Sequence, residues 1–323
     1  MDEMMTHGHD ARDARRVDAP VASPADGDGE RSLPAVSVII PARNSVGTLG
    51  AQLDALARQT YGGALEVIVV DNGSVDGTGD LVRGRAEDPP RLRLVTADGG
   101  VGASFARNAG ARVADGELLA FCDADDVVDP EWLAGLVHTA RDHDAVTGPL
   151  RYASSLNGAV ALRRYGYRAD ALSTTESRAV NDFMPYASSA NLAVWRTVFE
   201  DLAGFEETCL AVEDKEFSWR LQLAGYRLGF APGAVVNYRL RSSLRGMARQ
   251  QYGYGKSEVG LYPRFGRTGM PRRPAAIVAK SWARLALETF MIFDPHRRAK
   301  VQRLVPRYAG RVVGSLTLRT PYL

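Results

Sequence analysis

The chain has 323 residues, 45% of them hydrophobic and 24% charged, with a net charge of only +2. That is the composition of a globular protein, with length for one large domain or two modest ones around a real core. Two cysteines, Cys122 and Cys209, do not suggest a disulfide framework. Cys122 reads as a buried small hydrophobe, which fits a reducing compartment.

Residues 1 to about 34 are polar and acidic without any period, and read as a disordered tail rather than a secretion signal. Order begins at Ala35 to Ile40, a β-branched run predicted to be a strand that stops at Pro41. Asn44 or Ser45 is placed to cap a helix over roughly 47–59, where Leu49, Leu53, Leu56 and Ala57 repeat at helical spacing. Leu65 to Val70 predicts a second strand ending at Asp71. Asp76-Gly77-Thr78 leads into another helix, and Leu92 to Val95 predicts a third strand. A helix over Ala103–Ala114, closed by Gly116, precedes a fourth strand at Leu118–Cys122.

Near-continuous apolar strands alternating with helices argue for a parallel sheet covered on both faces. Such a sheet collects the C-terminal ends of its strands on one edge, where open α/β folds bind ligands. Three polar clusters meet there: Pro41-Ala42-Arg43-Asn44, Asp71-Asn72 and Asp123-Ala124-Asp125-Asp126. Asp129 and Pro130 read as the cap and first position of the next helix.

The stretch from Val146 to Ala190 has no clear pattern. Asn191–Val194 predicts another strand, and Phe199–Leu202 a short helix. Glu213 to Ala224 is an amphipathic helix with Phe217, Leu221 and Ala224 on one face, ended by Gly225. Arg227–Phe230 and Ala234–Tyr238 read as closing strands. Beyond Ser242 the chain is basic and helical, interrupted at Pro263–Pro274 and resumed over about 275–291.

Charge is segregated by sign. From Ala234 onward there are 18 Lys and Arg against three acids, so this part carries +15 and the remainder −13. The basic part could pack on the acidic body, or be drawn to an anionic surface, membrane or phosphorylated substrate. No nucleic-acid module accompanies it, so nucleic acid is not expected as a partner. The apolar stretch from Ala275 to Phe293 contains Lys280, Arg284 and Glu288, which argues against a spanning helix. Its Trp282, Phe290, Met291 and Phe293 suit either a bilayer surface or packing on the body or a second subunit.

The carboxylates carry the chemistry. Asp123 and Asp125, two apart in a loop, can face one hard cation, and Mg²⁺ commonly binds through one or two carboxylates plus substrate phosphates. Gly99-Gly100-Val101-Gly102 lacks the following Gly-Lys-Ser/Thr of a Walker loop. Arg107 can fork onto a diphosphate or a carboxylate. Glu213-Asp214 opens a helix, where carboxylates also suit the positive end of the dipole.

Taken together, VSVIIPARN at 36–44, EVIVVDNGSVDGT at 66–78, GASFARNAG at 102–110, LLAFCDADDVVDPEWL at 118–133 and GFEETCLAVEDKEFSWRLQLAGYRLGF at 204–230 resemble the family 2 glycosyltransferases. The resemblance implies a GT-A fold: a mixed central sheet over 35–240, followed here by a helical basic extension over 241–323. It implies an inverting enzyme that moves a sugar from a nucleoside-diphosphate-sugar to an acceptor hydroxyl. On that likeness Pro41, Arg43, Asp71 and Asn72 line the nucleoside pocket. Asp123 contacts ribose or diphosphate, and Arg107 lies near the nucleotide. Asp125 matches the ligand of a divalent cation, Mg²⁺ or Mn²⁺. Asp214 matches the catalytic base, with Glu213 beside it on the acceptor side.

Three departures are visible. Asn72 stands where many relatives have aspartate, which leaves uracil, thymine and guanine donors open. Asn237-Tyr238-Arg239 occupies the neighbourhood of a frequent metal-binding histidine. The Gln-x-x-Arg-Trp signature of processive members is absent. The acceptor is expected to be a glycan, a lipid-linked sugar or a small molecule in envelope or glycoconjugate synthesis. The setting expected is cytoplasmic or peripheral at the inner membrane face, and the expected partners include a second copy of the chain as a homodimer. The competing readings are a non-catalytic nucleotide-sugar or glycan-binding module and a sugar-phosphate nucleotidyltransferase. The second would want a Gly-rich loop with lysine after the first strand, where this chain has Pro41-Ala42-Arg43-Asn44.

Overall fold

A computed structural model describes residues 32–173, 183–209, 211–272 and 274–322. The tail expected over 1–34 lies almost wholly outside them. The chain opens with β1 (Val36–Ala42), α1 (Val46–Ala57), β2 (Leu65–Asp71), α2 (Thr78–Arg83), β3 (Arg91–Thr96), α3 (Ala103–Arg112) and β4 (Leu118–Cys122). These match the predicted elements in order and nearly in length. Next come β5 (Val127–Val128), the helix expected after Asp129-Pro130 as α4 (Trp132–Ala140), and β6 (Ala145–Thr147); the patternless stretch then holds β7 (Leu150–Arg151), α5 (Ala159–Tyr165) and β8 (Leu172–Ser173). Then come β9 (Asn191–Trp195), α6 (Arg196–Asp201), α7 (Glu213–Leu223), β10 (Leu228–Phe230) and β11 (Val236–Asn237). Three helices follow: α8 (Leu244–Phe265), α9 (Ala275–Phe290) and α10 (Pro295–Thr317).

The main sheet has the order β10-β6-β9-β4-β1-β2-β3. It is parallel except for β9, which runs antiparallel to both β4 and β6. The sheet is therefore mixed. A small second sheet, β5-β11-β7-β8, lies next in the chain to the acidic loop.

β1 does not stop at Pro41. Val36 donates to Ala64 O and Ala42 accepts from Asn72, so even-numbered residues of β1 bond toward β2. Pro41 therefore faces the β4 side, where pairing has ended at Ile39. Its missing N–H costs nothing there.

Alternation along the strands splits the core. Val38 and Ile40 pack with Leu49, Leu53 and Leu56 of α1 and Leu133 and Leu136 of α4. Ile39, Ile68 and Phe121 face the other way, against Ala106 and Ala109 of α3 and Phe217 and Leu221 of α7. Both faces are apolar and covered, the reason the strands read as continuous hydrophobic runs. Cys122 is fully buried in the first of these cores, as its surroundings in the sequence suggested.

Helix starts differ from expectation. Ser45 does precede α1, but its side chain makes no cap bond and instead donates to Arg43 O. Asp129 does not cap α4 through its side chain; Glu131 is the residue before the helix. The Asp129 carboxylate pairs with Arg151 at 2.8 Å and accepts from Asn237 Nδ2 at 2.7 Å, tying the acidic loop's far end to the small sheet. Ala224 ends α7 exposed rather than on its buried face.

α8 and α10 pack closely. A Cβ on Gly255 would meet Arg307 O at 1.9 Å, and one on Gly310 would meet Tyr252 O at 2.2 Å. Only hydrogen fits at these backbone contacts. Beside them Glu258 receives Arg311 Nη2 at 2.7 Å and Nε at 3.0 Å, and also a short contact from Arg307. Burial pushes the Glu258 carboxyl up, but the two guanidiniums more than offset it and its pKa falls to about 2. The basic extension thus packs on itself and on the body, where α10 meets α5 and Arg303 donates to Tyr165 O at 2.7 Å.

Candidate active site

The carboxyl edge of the sheet forms a cleft of about 730 Å³. The end of β1 supplies Pro41 and the loop after it Arg43, and the loop after β4 supplies Asp123 and Asp125. α3 contributes Arg107, the start of α7 contributes Glu213 and Asp214, and the 238–242 segment contributes Arg239 and Arg241. Of the site residues that the family resemblance implies, all but Asp71 line it. Asp71 Oδ1 instead accepts from Ser74 N at 2.8 Å and shapes the turn after β2.

Asn72 lines the cleft but its amide is committed. Nδ2 donates to Ala97 O at 2.7 Å and Gly100 O at 2.9 Å, and Oδ1 accepts from Gly102 N at 2.9 Å. It therefore pins the glycine-rich loop ahead of α3. Asn44 holds a left-handed conformation, φ 52°, and accepts from Val75 N, which ties the first two strand-end loops together.

Arg107 is the hub. Its side chain is 3% exposed. Nη2 donates to Asp123 Oδ1 at 2.6 Å and Nη1 to Glu213 Oε1 at 3.0 Å. One buried guanidinium thus bridges the acidic loop to the start of α7, across 106 positions of sequence. The planar fork suits two carboxylates at once, which a lysine would not.

Asp123, Asp125 and Asp126 bring carboxylate oxygens within 4.8 Å of one another. Asp126, read in the sequence only as part of the acidic cluster, is fully buried; Oδ1 accepts from Arg239 N at 2.7 Å while Oδ2 has no partner among the described residues. Burial and the neighbouring Asp123 raise the pKa of Asp125, and burial with Asp123 and Asp125 raises that of Asp126 well above the carboxylate range. An all-oxygen set holding surplus negative charge and a buried orphan oxygen fits a hard divalent cation. Arg241 lies against the same group, with Nη1 2.8 Å from Asp125 Oδ2. Arg239 Nε holds Asp125 O at 2.7 Å.

Other supports were invisible in the sequence. Gln52, fully buried on α1, donates to Asp123 O at 3.3 Å and accepts from Val128 N at 3.0 Å, bracing both ends of the acidic loop. Asn191 accepts from Trp132 Nε1 at 2.9 Å and donates to Pro149 O and Ala234 O. A polar residue inside a predicted strand was the only signal for it.

Asp214 stands where the cleft meets a second cavity of about 480 Å³. Burial, then the charge of Glu213, pushes its carboxyl up to about 7. The second cavity is lined by Tyr152, Tyr165, Tyr167 and Tyr254, with Gln250 and Arg303. Tyr152 and Tyr167 stack at 3.7 Å, and Tyr165 Oη donates to Gln250 Oε1 at 2.8 Å. Arg163, Arg164 and Arg168, which neighbour these tyrosines in sequence, do not line it, and Arg164 instead donates to Ser242 O. Tyr238 lies between the two cavities and its ring meets Tyr152 edge-on.

Comparison with known proteins agrees with this architecture. Residues 37–203 match the model of glycosyl transferase family 2. The glycosyltransferase AglE of Haloferax volcanii is 31% identical over 234 residues, covering 72% of this chain and 75% of that protein. The pre-mycofactocin glycosyltransferase of Mycobacterium tuberculosis is 29% identical over 84% of this chain, which spans 55% of its length. A mannosyltransferase from Pyrobaculum calidifontis, solved in complex with GDP-Man and Mn²⁺, superposes with a TM-score of 0.65 at 23% identity, covering 88% of each chain.

A mixed sheet with its acidic loop at the carboxyl edge and helices on both faces is the GT-A fold, and the protein is a glycosyltransferase of that class. Within the class, the chain belongs to glycosyl transferase family 2.

Proposed function

We propose that this protein moves a sugar from a nucleoside-diphosphate-sugar to an acceptor hydroxyl, with inversion at the anomeric carbon and Asp214 as general base. One observation carries the reading. A single cleft holds Arg43, Arg107, Asp123, Asp125 and Asp214, and Asp214 also lines the adjoining tyrosine-rich cavity. That arrangement suits a charged donor on one side of the base and an acceptor on the other.

Pro41 and Arg43 border the nucleoside, with Asp71 and Asn72 setting the loops around it. Asp123, positioned by Arg107, faces the ribose or diphosphate. Asp125, with Asp123 and Asp126 beside it, would hold Mg²⁺ or Mn²⁺, which neutralises charge on a departing diphosphate. The Pyrobaculum protein, seen with GDP-Man and Mn²⁺, supports that class of donor and cation.

Asp214 takes the proton of the attacking hydroxyl, and a pKa near 7 makes it a better base than an ordinary carboxylate. Glu213 keeps that pKa high and anchors Arg107. The acceptor enters the cavity lined by Tyr152, Tyr165 and Tyr167, an aromatic wall that suits a sugar or aglycone, while Gln250 offers an amide to its hydroxyls. A glycan, a lipid-linked sugar or a small molecule meets that description.

The test is nucleoside diphosphate release from a panel of UDP-, dTDP- and GDP-sugars with Mn²⁺ or Mg²⁺, read by mass spectrometry. Release from one donor, abolished by Asp125→Ala, supports the reading and names the nucleotide. Asp214→Asn should bind that donor and fail to turn it over. A protein that neither binds nor cleaves any donor in the panel overturns the reading.

A further inference from the structure

We infer that the outer face of α9 is a docking surface for an anionic lipid bilayer, on which the protein lies without crossing it. The helix is mounted the wrong way round for a soluble protein. On an amphipathic helix of a globular domain the apolar stripe faces inward and the charges face water. On α9 the sole acid, Glu288, is 9% exposed and receives Lys300 Nζ of α10 at 2.6 Å. Leu285 is buried beside it, and Trp282 rests against Tyr308 of α10. The large apolar residues point outward: Ile277 is 55% exposed, Leu287 60%, Phe290 83% and Phe293, just after the helix, 92%.

Scattered exposed hydrophobes need no explanation, but a continuous set on one helix does. Ala276, Ala279, Ala283 and Ala286 are exposed on the same face as Leu287 and Phe290, so an apolar strip runs the length of the helix, with Lys280 and Arg284 between it and Ile277. None of the described residues covers it.

Charge selects the occupant. Lys280 and Arg284 are exposed along α9, and Arg298 is exposed at the start of α10. With Glu288 withdrawn beneath Lys300, α9 presents no acid to solvent. Apolar residues with basic neighbours are what a helix needs to lie in the headgroup region of an anionic leaflet. Among the described residues no helix is long and apolar enough to cross a bilayer, so the geometry is that of a helix lying on the surface. α10 connects this face to the site, because Arg303 and Arg307 of the same helix line the tyrosine-rich cavity.

The full-length chain can be tested directly with vesicles of phosphatidylcholine, with and without phosphatidylglycerol. Trp132 and Trp219 are fully buried and Trp195 Nε1 is bonded inside the fold, whereas Trp282 is 40% exposed. A blue shift of tryptophan emission on adding phosphatidylglycerol vesicles is expected from Trp282, and Trp282→Phe should abolish it. Co-sedimentation should weaken with added salt. Phe290→Ser with Phe293→Ser should lower the partition coefficient by about tenfold or more, since both rings would leave the lipid. Both side chains are exposed, so donor binding should be unchanged. No binding to phosphatidylglycerol vesicles at low salt overturns the inference. So does binding that is indifferent to the double substitution, or a dimer in solution that the double substitution dissociates.

Discussion

Arg241 sets Nη1 2.8 Å from Asp125 Oδ2, so a cation of the chain itself sits on the carboxylate expected to hold a metal ion. The pair is open to water, with Arg241 53% exposed. Solvent screening keeps such a pair below about 1 kcal/mol. Arg241→Gln should therefore tighten Mn²⁺ binding in the absence of donor by a few-fold, up to about fivefold. Loss of free Mn²⁺ signal in electron paramagnetic resonance measures this directly. Unchanged or weaker binding would show that Arg241 and the cation do not compete.

Arg107 is the opposite case, a buried cation between two carboxylates. Arg107→Met removes the cation that pairs with both Asp123 and Glu213. Removing one member of a buried pair costs about 3–5 kcal/mol. Urea denaturation should show a loss toward the lower end, because Asp123 can still reach water at 29% exposure. Arg107→Lys should recover part of the stability, yet it cannot fork, so donor affinity should stay low. Full recovery of donor binding by lysine would remove the bridging role.

The pH dependence follows from Asp214. A base must be ionised to accept a proton, and burial with Glu213 holds this carboxyl up at about 7. Turnover per donor should therefore rise with pH through about 7 and level above it. Glu213→Gln removes the second cause, so the midpoint should move to lower pH. Because Glu213 also anchors Arg107, the maximum rate should fall as well. A midpoint that stays fixed in Glu213→Gln would separate the titration from Asp214.

Glu258 ties the last helices together. Its pKa is depressed in the folded protein, so its stabilisation is full above the ordinary carboxylate value and disappears as pH falls toward about 2. Glu258→Ala leaves Arg307 and Arg311 facing each other, and should cost about 3–5 kcal/mol at neutral pH. Gly310→Ala should also loosen α10, since its Cβ would meet Tyr252 O at 2.2 Å. Hydrogen exchange of α8 and α10 would detect both. Protection equal to the parent protein in either variant would contradict the packing described.

Much of the body was legible in the residues. β2 and β4 read as apolar runs that end in acids, and the segment from β1 to β4 alternates strands and helices in short order. That pattern, with Asp123-Ala124-Asp125 at a strand end, located the cleft. The middle was not legible. β5, β7 and β8 are two residues each, too short to carry a period, and are defined by their pairing in the small sheet, whereas β11 falls inside the strand read at Ala234–Tyr238. Asp129 looked like a helix cap because it precedes proline; Arg151 and Asn237, both distant in sequence, claimed its carboxylate instead.

The sequence by itself determined which edge of the sheet carries polar groups, because hydrophobic periodicity and turn residues act over a few neighbours. Tertiary structure alone decided how those groups are arranged. Gln52 beneath the acidic loop, Arg107 between Asp123 and Glu213, and Arg241 on Asp125 join residues 16 to 116 positions apart. It also decided the facing of α9. Period alone shows that the helix has an apolar side. Which side meets α10 was set by the Glu288–Lys300 ion pair and by Trp282 against Tyr308, contacts that form only when the two helices meet.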